Sequence, residues 1–307
     1  MDVITVCACT YQRSDQLLTL LHSFKALKIP PGTEVKACIV DNDVQSSAKD
    51  VVRTLSGEMP FPLMYVNEKQ PGIPSARNRA LAEAGDSDYL VFVDDDETVD
   101  PDWLVELYKV ASETSAVFVQ GPVEMTVEDV QSSWWLDTIF FQQRVFPDRS
   151  VRQESWSNNV MLNMDLLSQL DCSFDDQLRY DGGSDTLFFQ DIVRKGGTGR
   201  YAAHARVFEI QPKARLNWRW ALQRQFRFGI TRANTLKLRH SRLKTYGYCL
   251  VRSAGMFVWG IGNLMQAIFR GKRSLADGMA YLARGTGVLL GAFGIRHLEY
   301  ARKSTSW

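Results

Sequence analysis

Short apolar runs and longer periodic segments alternate through the first 120 residues. The runs at 3–9, 35–41, 63–66, 89–93 and 116–120 are dense in β-branched, aromatic or cysteine side chains and predict strands. Between them, 14–28, 46–56, 74–85 and 101–114 repeat apolar residues three and four apart and predict helices. In the first of these, Ser14 reads as the cap and Leu17, Leu20, Leu21, Phe24 and Leu27 as the buried stripe. Such spacing predicts βα units and an α/β fold with a largely parallel sheet covered by helices on both faces. The stretch 121–200 is less regular, and its GG, SNN and DD punctuation predicts loops. From 216 the pattern is helical and basic.

Two apolar stretches near the end, 253–269 and 279–293, fall short of the ~20 residues that span a bilayer. They are interrupted by Asn263, Gln266 and Arg284 and flanked by Arg252 and the RGKR of 270–273. Buried core helices and a monotopic, interfacial pair both fit that pattern.

Composition adds little until the chain is divided. The 307 residues carry a net charge of +1, yet residues up to 200 hold 17 basic against 32 acidic side chains and the rest hold 19 against 3. The basic segment therefore faces anions, whether nucleic acid, lipid headgroups or a phosphorylated substrate. Cys7, Cys9, Cys38, Cys172 and Cys249 form no CxxC pair and read as reduced core residues. The N-terminus enters a strand at once and lacks a signal-peptide pattern, so a cytoplasmic protein is expected.

The candidate chemistry begins at YLVFVDDDET, 89–98, where an apolar strand ends in four consecutive carboxylates. Crowded carboxylates need a compensating cation to stay ionised. A solvated acidic turn before the helix that starts near Asp100 and Pro101 is the plainer alternative. Other polar residues fall at the ends of neighbouring strands: Thr10, Tyr11 and Arg13 after the first, Asp41, Asn42 and Asp43 after the second. Parallel sheets gather such ends at one edge, where ligands bind.

Taken in order, TYQR (10–13), VDND (40–43), PSARNRAL (74–81), VFVDDDETVDPDWL (91–104), SNNVMLN (157–163), GGSDTLFFQDIVRKGG (182–197) and QRQFRFG (223–229) resemble the inverting family 2 glycosyltransferases. The resemblance covers about residues 3 to 235, and VFEIQPKAR (207–215) with the tryptophan-rich helix after it is most similar to bacterial exopolysaccharide transferases of the succinoglycan type. It implies the GT-A fold over 1–235, a nucleotide-sugar half at 1–120 and an acceptor and catalytic-base half at 121–235, followed by a basic helical extension at 236–307.

The same resemblance assigns roles. Base recognition falls on Thr10 and Asp41, with Tyr11, Arg13, Asn42, Arg77 and Asn78 around the nucleotide. The D-x-D role falls on Asp94 and Asp96, with Asp96 on a Mg²⁺ or Mn²⁺ ion and Asp95 or Asp94 meeting the ribose. The catalytic base is Asp185, with Asp191 as a second candidate. Ser184 stands where the family has Glu, which changes the acceptor contact expected there. Trp156, Asn158 and Asn159 are acceptor-binding positions, while Arg224 and Arg227, beside Trp218 and Trp220, fall near the donor diphosphate or an acceptor phosphate. His204 reads as structural.

Implied partners are a nucleotide sugar, UDP-glucose by the narrower similarity, and a saccharide acceptor on a polyprenyl carrier, with an anionic membrane surface and no nucleic acid. Two rival classes remain at this point. Asp94-x-Asp96-x-Thr98 also fits the nucleophile motif of haloacid-dehalogenase-like phosphohydrolases, with Asp94 attacking phosphate, although two βα units precede it here. A non-enzymatic membrane-surface or nucleic-acid-binding protein would use the basic half and leave the carboxylates without purpose.

Overall fold

In the computed structural model, residues 1–142, 144–179 and 182–295 are described. The chain divides into two compact units, the first formed by Met1–Glu124, Gln143–Arg179 and Ser184–Glu209.

That first unit is built on β1 (Asp2–Thr10), β2 (Thr33–Asp41), β3 (Leu63–Asn67) and β4 (Tyr89–Asp94), all parallel, with α1 (Ser14–Phe24), α2 (Lys49–Leu55) and α3 (Ile73–Glu83) as crossovers. After β5 (Glu97–Val99) and α4 (Trp103–Ser112) come β6 (Phe118–Gln120), β7 (Val123–Val127), β8 (Val151–Arg152) and β9 (Asn159–Asn163). Then follow α5 (Met164–Ser168), α6 (Ser184–Arg194), β10 (Gly199–Tyr201) and β11 (Val207–Gln211). The main sheet runs β3-β2-β1-β4-β9-β6-β10-β8. The expected parallel sheet is there, but β9 enters antiparallel between β4 and β6, and β5 pairs antiparallel with β11 outside it.

Alternation along the strands sorts the core into two layers. Ile4, Val6, Ala8, Ile39, Val91 and Val93 face α1, α2 and α4, where Phe24, Val52 and Leu107 meet them. Cys7, Cys38, Val40, Leu90 and Phe92 face the other way, onto Ala76 and Ala80 of α3 and Phe188, Phe189 and Ile192 of α6. All five cysteines are free, as their spacing suggested.

The second unit comprises Met125–Gln142, Tyr180–Gly183 and Ile210–Trp307. Its three long helices are α7 (Trp218–Lys237), α8 (Arg242–Arg270) and α9 (Lys272–Ala292). In this division α7 groups with α8 and α9, and 125–142 joins them. Glycines let α7 and α9 cross closely: a Cβ on Gly287 would run into the Phe226 carbonyl, and one on Gly229 into the Arg284 carbonyl. Trp134, Trp135, Phe140, Phe141, Trp218 and Trp220 pack as an aromatic cluster with Ala276 and Ala280 of α9. No helix among the described residues is long and apolar enough to cross a membrane.

Candidate functional site

Strand register places the site. Thr10 pairs with Asp41, Cys9 with Asp94, and Asp41 with Asn67, so β1, β2, β3 and β4 end at one level. Polar groups at these carboxyl ends face the crevice where parallel sheets bind ligands.

The acid cluster at the end of β4 is held in three ways. Arg13, just before α1, donates Nη1 to Asp95 Oδ1 at 3.0 Å and to Asp96 Oδ2 at 3.2 Å. The Asp94 N–H donates to Glu97 Oε2 at 3.0 Å, and Asn158 Nδ2 reaches Glu97 Oε1 at 3.4 Å. Burial pushes the Asp94 carboxyl up to about 7; Arg77 opposes that rise, and Asp96, Asp95 and Glu209 add to it. Burial raises Asp95 too, against the pull of Arg13 and the Thr10 hydroxyl. Glu97 is pushed well above the carboxylate range by burial and then by Asp94. The cluster is thus short of positive charge even with Arg13 and Arg77 beside it.

This donor set suits a hard divalent cation. Among the described residues no three His, Cys, Asp or Glu side chains close into a ligand set. One or two carboxylates with the remaining positions left to substrate oxygens is how Mg²⁺-type ions sit in nucleotide sites.

Arg77, on α3, links the cluster to α6. Its charge is felt at Asp94, its guanidinium lies 5.6 Å from the Phe174 ring centre, and its Nη1 donates to Ser184 Oγ at 3.4 Å. Asp185 therefore begins α6 on the side of the sheet where the carboxylates gather. The turn into it needs Gly182 and Gly183, whose φ of 74° and 86° are left-handed. Asp185 Oδ1 accepts the Thr186 N–H at 2.7 Å, which fixes the side chain. Asp191, the second base candidate, is ion-paired with Arg194 at 3.1 Å, farther along α6. His204 is exposed.

Several of the residues expected at the ligand already have partners within the protein. Asp41 is fully buried: Oδ1 accepts the Asp43 N–H, and Oδ2 accepts the Ala48 N–H and the Tyr65 hydroxyl. It holds the 43–48 turn at the end of β2. Asn42 bonds Glu68 O, Gln70 O and the Gly72 N–H, and so organises the loop before α3. Asn78 exchanges two hydrogen bonds with the Phe174 backbone. Asn159 is 1% exposed and spends its amide on Pro122 O, Ala205 O and Trp103 Nε1, and so braces the sheet. Such saturated amides are structural because any ligand would have to break bonds already made.

Tyr11 is 37% exposed, Trp156 and Asn158 are half-buried, and these keep surface for a ligand. Arg224 and Arg227 lie on α7 in the helical unit, where Arg224 stacks 5.1 Å from Trp220 and 5.3 Å from Phe228. Glu97 and Tyr65 are the site residues that sequence reasoning missed. Glu97 carried a signal, since it follows the three aspartates directly; Tyr65 looked like any strand aromatic.

Comparison with known proteins agrees with this geometry. Residues 5–178 match the profile of glycosyl transferase family 2. The succinoglycan biosynthesis protein ExoM of Rhizobium meliloti (strain 1021) is 34% identical over 233 residues, 76% of this chain and 75% of that protein. Among solved structures, the mannosyltransferase PcManGT from Pyrobaculum calidifontis, in complex with GDP-Man and Mn2+, superposes with a TM-score of 0.61 at 16% identity, over 94% of this chain and 86% of its own. TarS of S. aureus in complex with UDP gives 0.52 at 15% identity, over 95% and 90%. At such identities the structures speak for the GT-A fold.

Proposed function

The chain belongs to glycosyl transferase family 2, and from that premise we propose that it moves glucose from UDP-glucose, with inversion, onto a saccharide hydroxyl during assembly of a bacterial exopolysaccharide. The acceptor is a growing saccharide on a polyprenyl carrier, met at the cytoplasmic face of the membrane. What supports this reading above all is the level register of β1, β2 and β4, with Arg77 joining the Asp94 cluster to the start of α6.

The nucleoside lies over the ends of β1 and β2, where Tyr11 offers an exposed ring and Asp41 keeps the 43–48 turn in shape. Held by Asp96 and Asp94, a divalent cation, Mn²⁺ or Mg²⁺, would supply the positive charge that the leaving diphosphate requires. Arg13 keeps Asp95 and Asp96 in place before that cation arrives. Asp185 accepts the proton of the acceptor hydroxyl as its oxygen bonds to the anomeric carbon and the bond from that carbon to the diphosphate breaks. Ser184, lacking the carboxylate usual in the family, contributes an oxygen to Arg77 in its stead. Half-buried Trp156 offers an apolar face to the acceptor sugar.

Calorimetry of UDP with and without Mn²⁺ tests the donor half of this proposal. Wild type should bind UDP in a metal-dependent manner, and Asp96→Asn should lose that dependence. Metal-dependent binding unchanged in the variant would remove Asp96 from the site.

A further inference from the structure

Helix α8 is inverted relative to a helix of a soluble bundle. The residues it buries are small or polar, Thr245, Cys249, Ser253 and Gly260. Its large apolar side chains point outward: Leu243, Leu250, Val258, Ile261, Met265 and Ile268 are 54% to 84% exposed. They recur three, four, seven or eight apart, so they form one continuous stripe along the helix. Scattered exposed apolar residues need no explanation, but an unbroken stripe does. Trp259, 67% exposed, and Tyr248 stand at its border.

Charge says what covers the stripe. Across its 29 residues α8 carries Arg242, Lys244, Arg252 and Arg270 and not one Asp or Glu. Lys272 and Arg273 follow at the start of α9. At that turn an open notch of about 380 Å³ is lined by Asn263, Arg270, Arg273, Ser274 and Asp277, where two guanidinium groups outnumber one carboxylate, whose Oδ1 already accepts the Ile139 N–H. A second copy of α8 laid against this face, parallel or antiparallel, would bring cations to cations with no carboxylate between them. An anionic lipid surface offers the opposite charge together with an acyl boundary for the stripe.

We propose that the outer face of α8 is a membrane-docking surface, on which the helix lies in the plane of an anionic bilayer leaflet with Arg270 and Arg273 at a lipid phosphate. Apolar burial and electrostatic attraction then act together, the two signals that stable peripheral binding requires. The proposal deepens the glycosyl-transfer reading, which gives the acceptor as lipid-carried, but its observations are those of α8 and the turn into α9. The apolar stripe belongs to α8, whereas Ala276, Ala280, Gly287, Val288 and Gly291 of α9 are buried.

Vesicle flotation of the full-length protein tests it, with phosphatidylcholine alone or mixed with phosphatidylglycerol, at low and high salt. Wild type should float with the anionic vesicles at low salt, and less at high salt or with neutral vesicles. Leu250→Glu combined with Ile261→Glu should reduce flotation roughly tenfold or more, and Arg270→Glu with Arg273→Glu should abolish the preference for anionic lipid. These positions are exposed, so the thermal melts of both variants should match wild type. Nucleoside diphosphate release from a free nucleotide sugar, followed without lipid, should persist in both and separates the two claims. Flotation with no release in any protein supports the surface and removes the transfer reading. Wild type that stays unbound at low salt, or variants that float as wild type does, overturn the surface. So does a wild-type dimer in light scattering that Leu250→Glu with Ile261→Glu converts to monomers.

Discussion

Asp94 shows most plainly how a single residue trades stability for function. Burial and the neighbouring carboxylates raise its proton affinity to about 7, well above that of an unfolded aspartate. The folded state therefore binds the proton more tightly, and stability contributed by this group is lost as pH rises from about 4 through about 7. Asp94→Asn should consequently stabilise the metal-free protein at pH 8, by on the order of 1–2 kcal/mol because Arg77 and water at the site edge partly screen the charge, and have little effect near pH 4. Thermal melts in chelator at the two pH values check this; activity should be lost at both. The base role proposed for Asp185 predicts a different pattern, since a general base acts only in the transition state. Asp185→Asn should leave UDP binding intact and lower turnover about 10²–10⁴-fold, whereas near-wild-type turnover at saturating substrates would make it only a helix-start charge. Residue by residue, the gathering of carboxylates at one strand end was legible, because Asp94, Asp95, Asp96 and Glu97 are consecutive at the end of an apolar run. The amides were not: Asn42, Asn78 and Asn159 look like ligand contacts in a string of letters, and only their partners reveal them as braces.

At the scale of elements, period and length carried the parallel half of the sheet, because each βα unit encodes its own strand, helix and turn. β1, β2, β3, β4 and α1 lie within a few residues of where the apolar pattern puts them. β9 was not legible in direction, since NVMLN is an apolar run that suits a parallel or an antiparallel neighbour equally. Direction comes from the connection that returns through 121–158, a segment without period. The grouping of α7 with α8 and α9 was hidden for a similar reason: a glycine in a helix says nothing about which helix approaches it. Gly287→Ala tests that grouping, because its Cβ has no room against the Phe226 carbonyl. The variant should lose about 2–4 kcal/mol of stability in denaturant melts, while Gly255→Ala, where a Cβ meets nothing, should be neutral or slightly stabilising.

For the whole molecule, the charge division seen in the sequence matches a division of labour between two compact units. The acidic unit carries the carboxylate edge, and the basic unit carries the aromatic cluster and the outward-facing α8. Composition alone revealed that the charge is divided; it could not tell a lipid surface from nucleic acid, and the proposal of a lipid surface draws on the side chains that α8 exposes. Family membership narrows the chemistry to glycosyl transfer, and its central claim is that the carboxylates ending β4 serve a nucleotide sugar. The most direct test incubates wild type and Asp96→Asn with a panel of nucleotide sugars and Mn²⁺, without acceptor, and follows nucleoside diphosphate release by slow donor hydrolysis. Wild type should release UDP from UDP-glucose in a metal-dependent reaction that chelator stops and Asp96→Asn lacks. Release from no nucleotide sugar, or equal release by the variant, would contradict it.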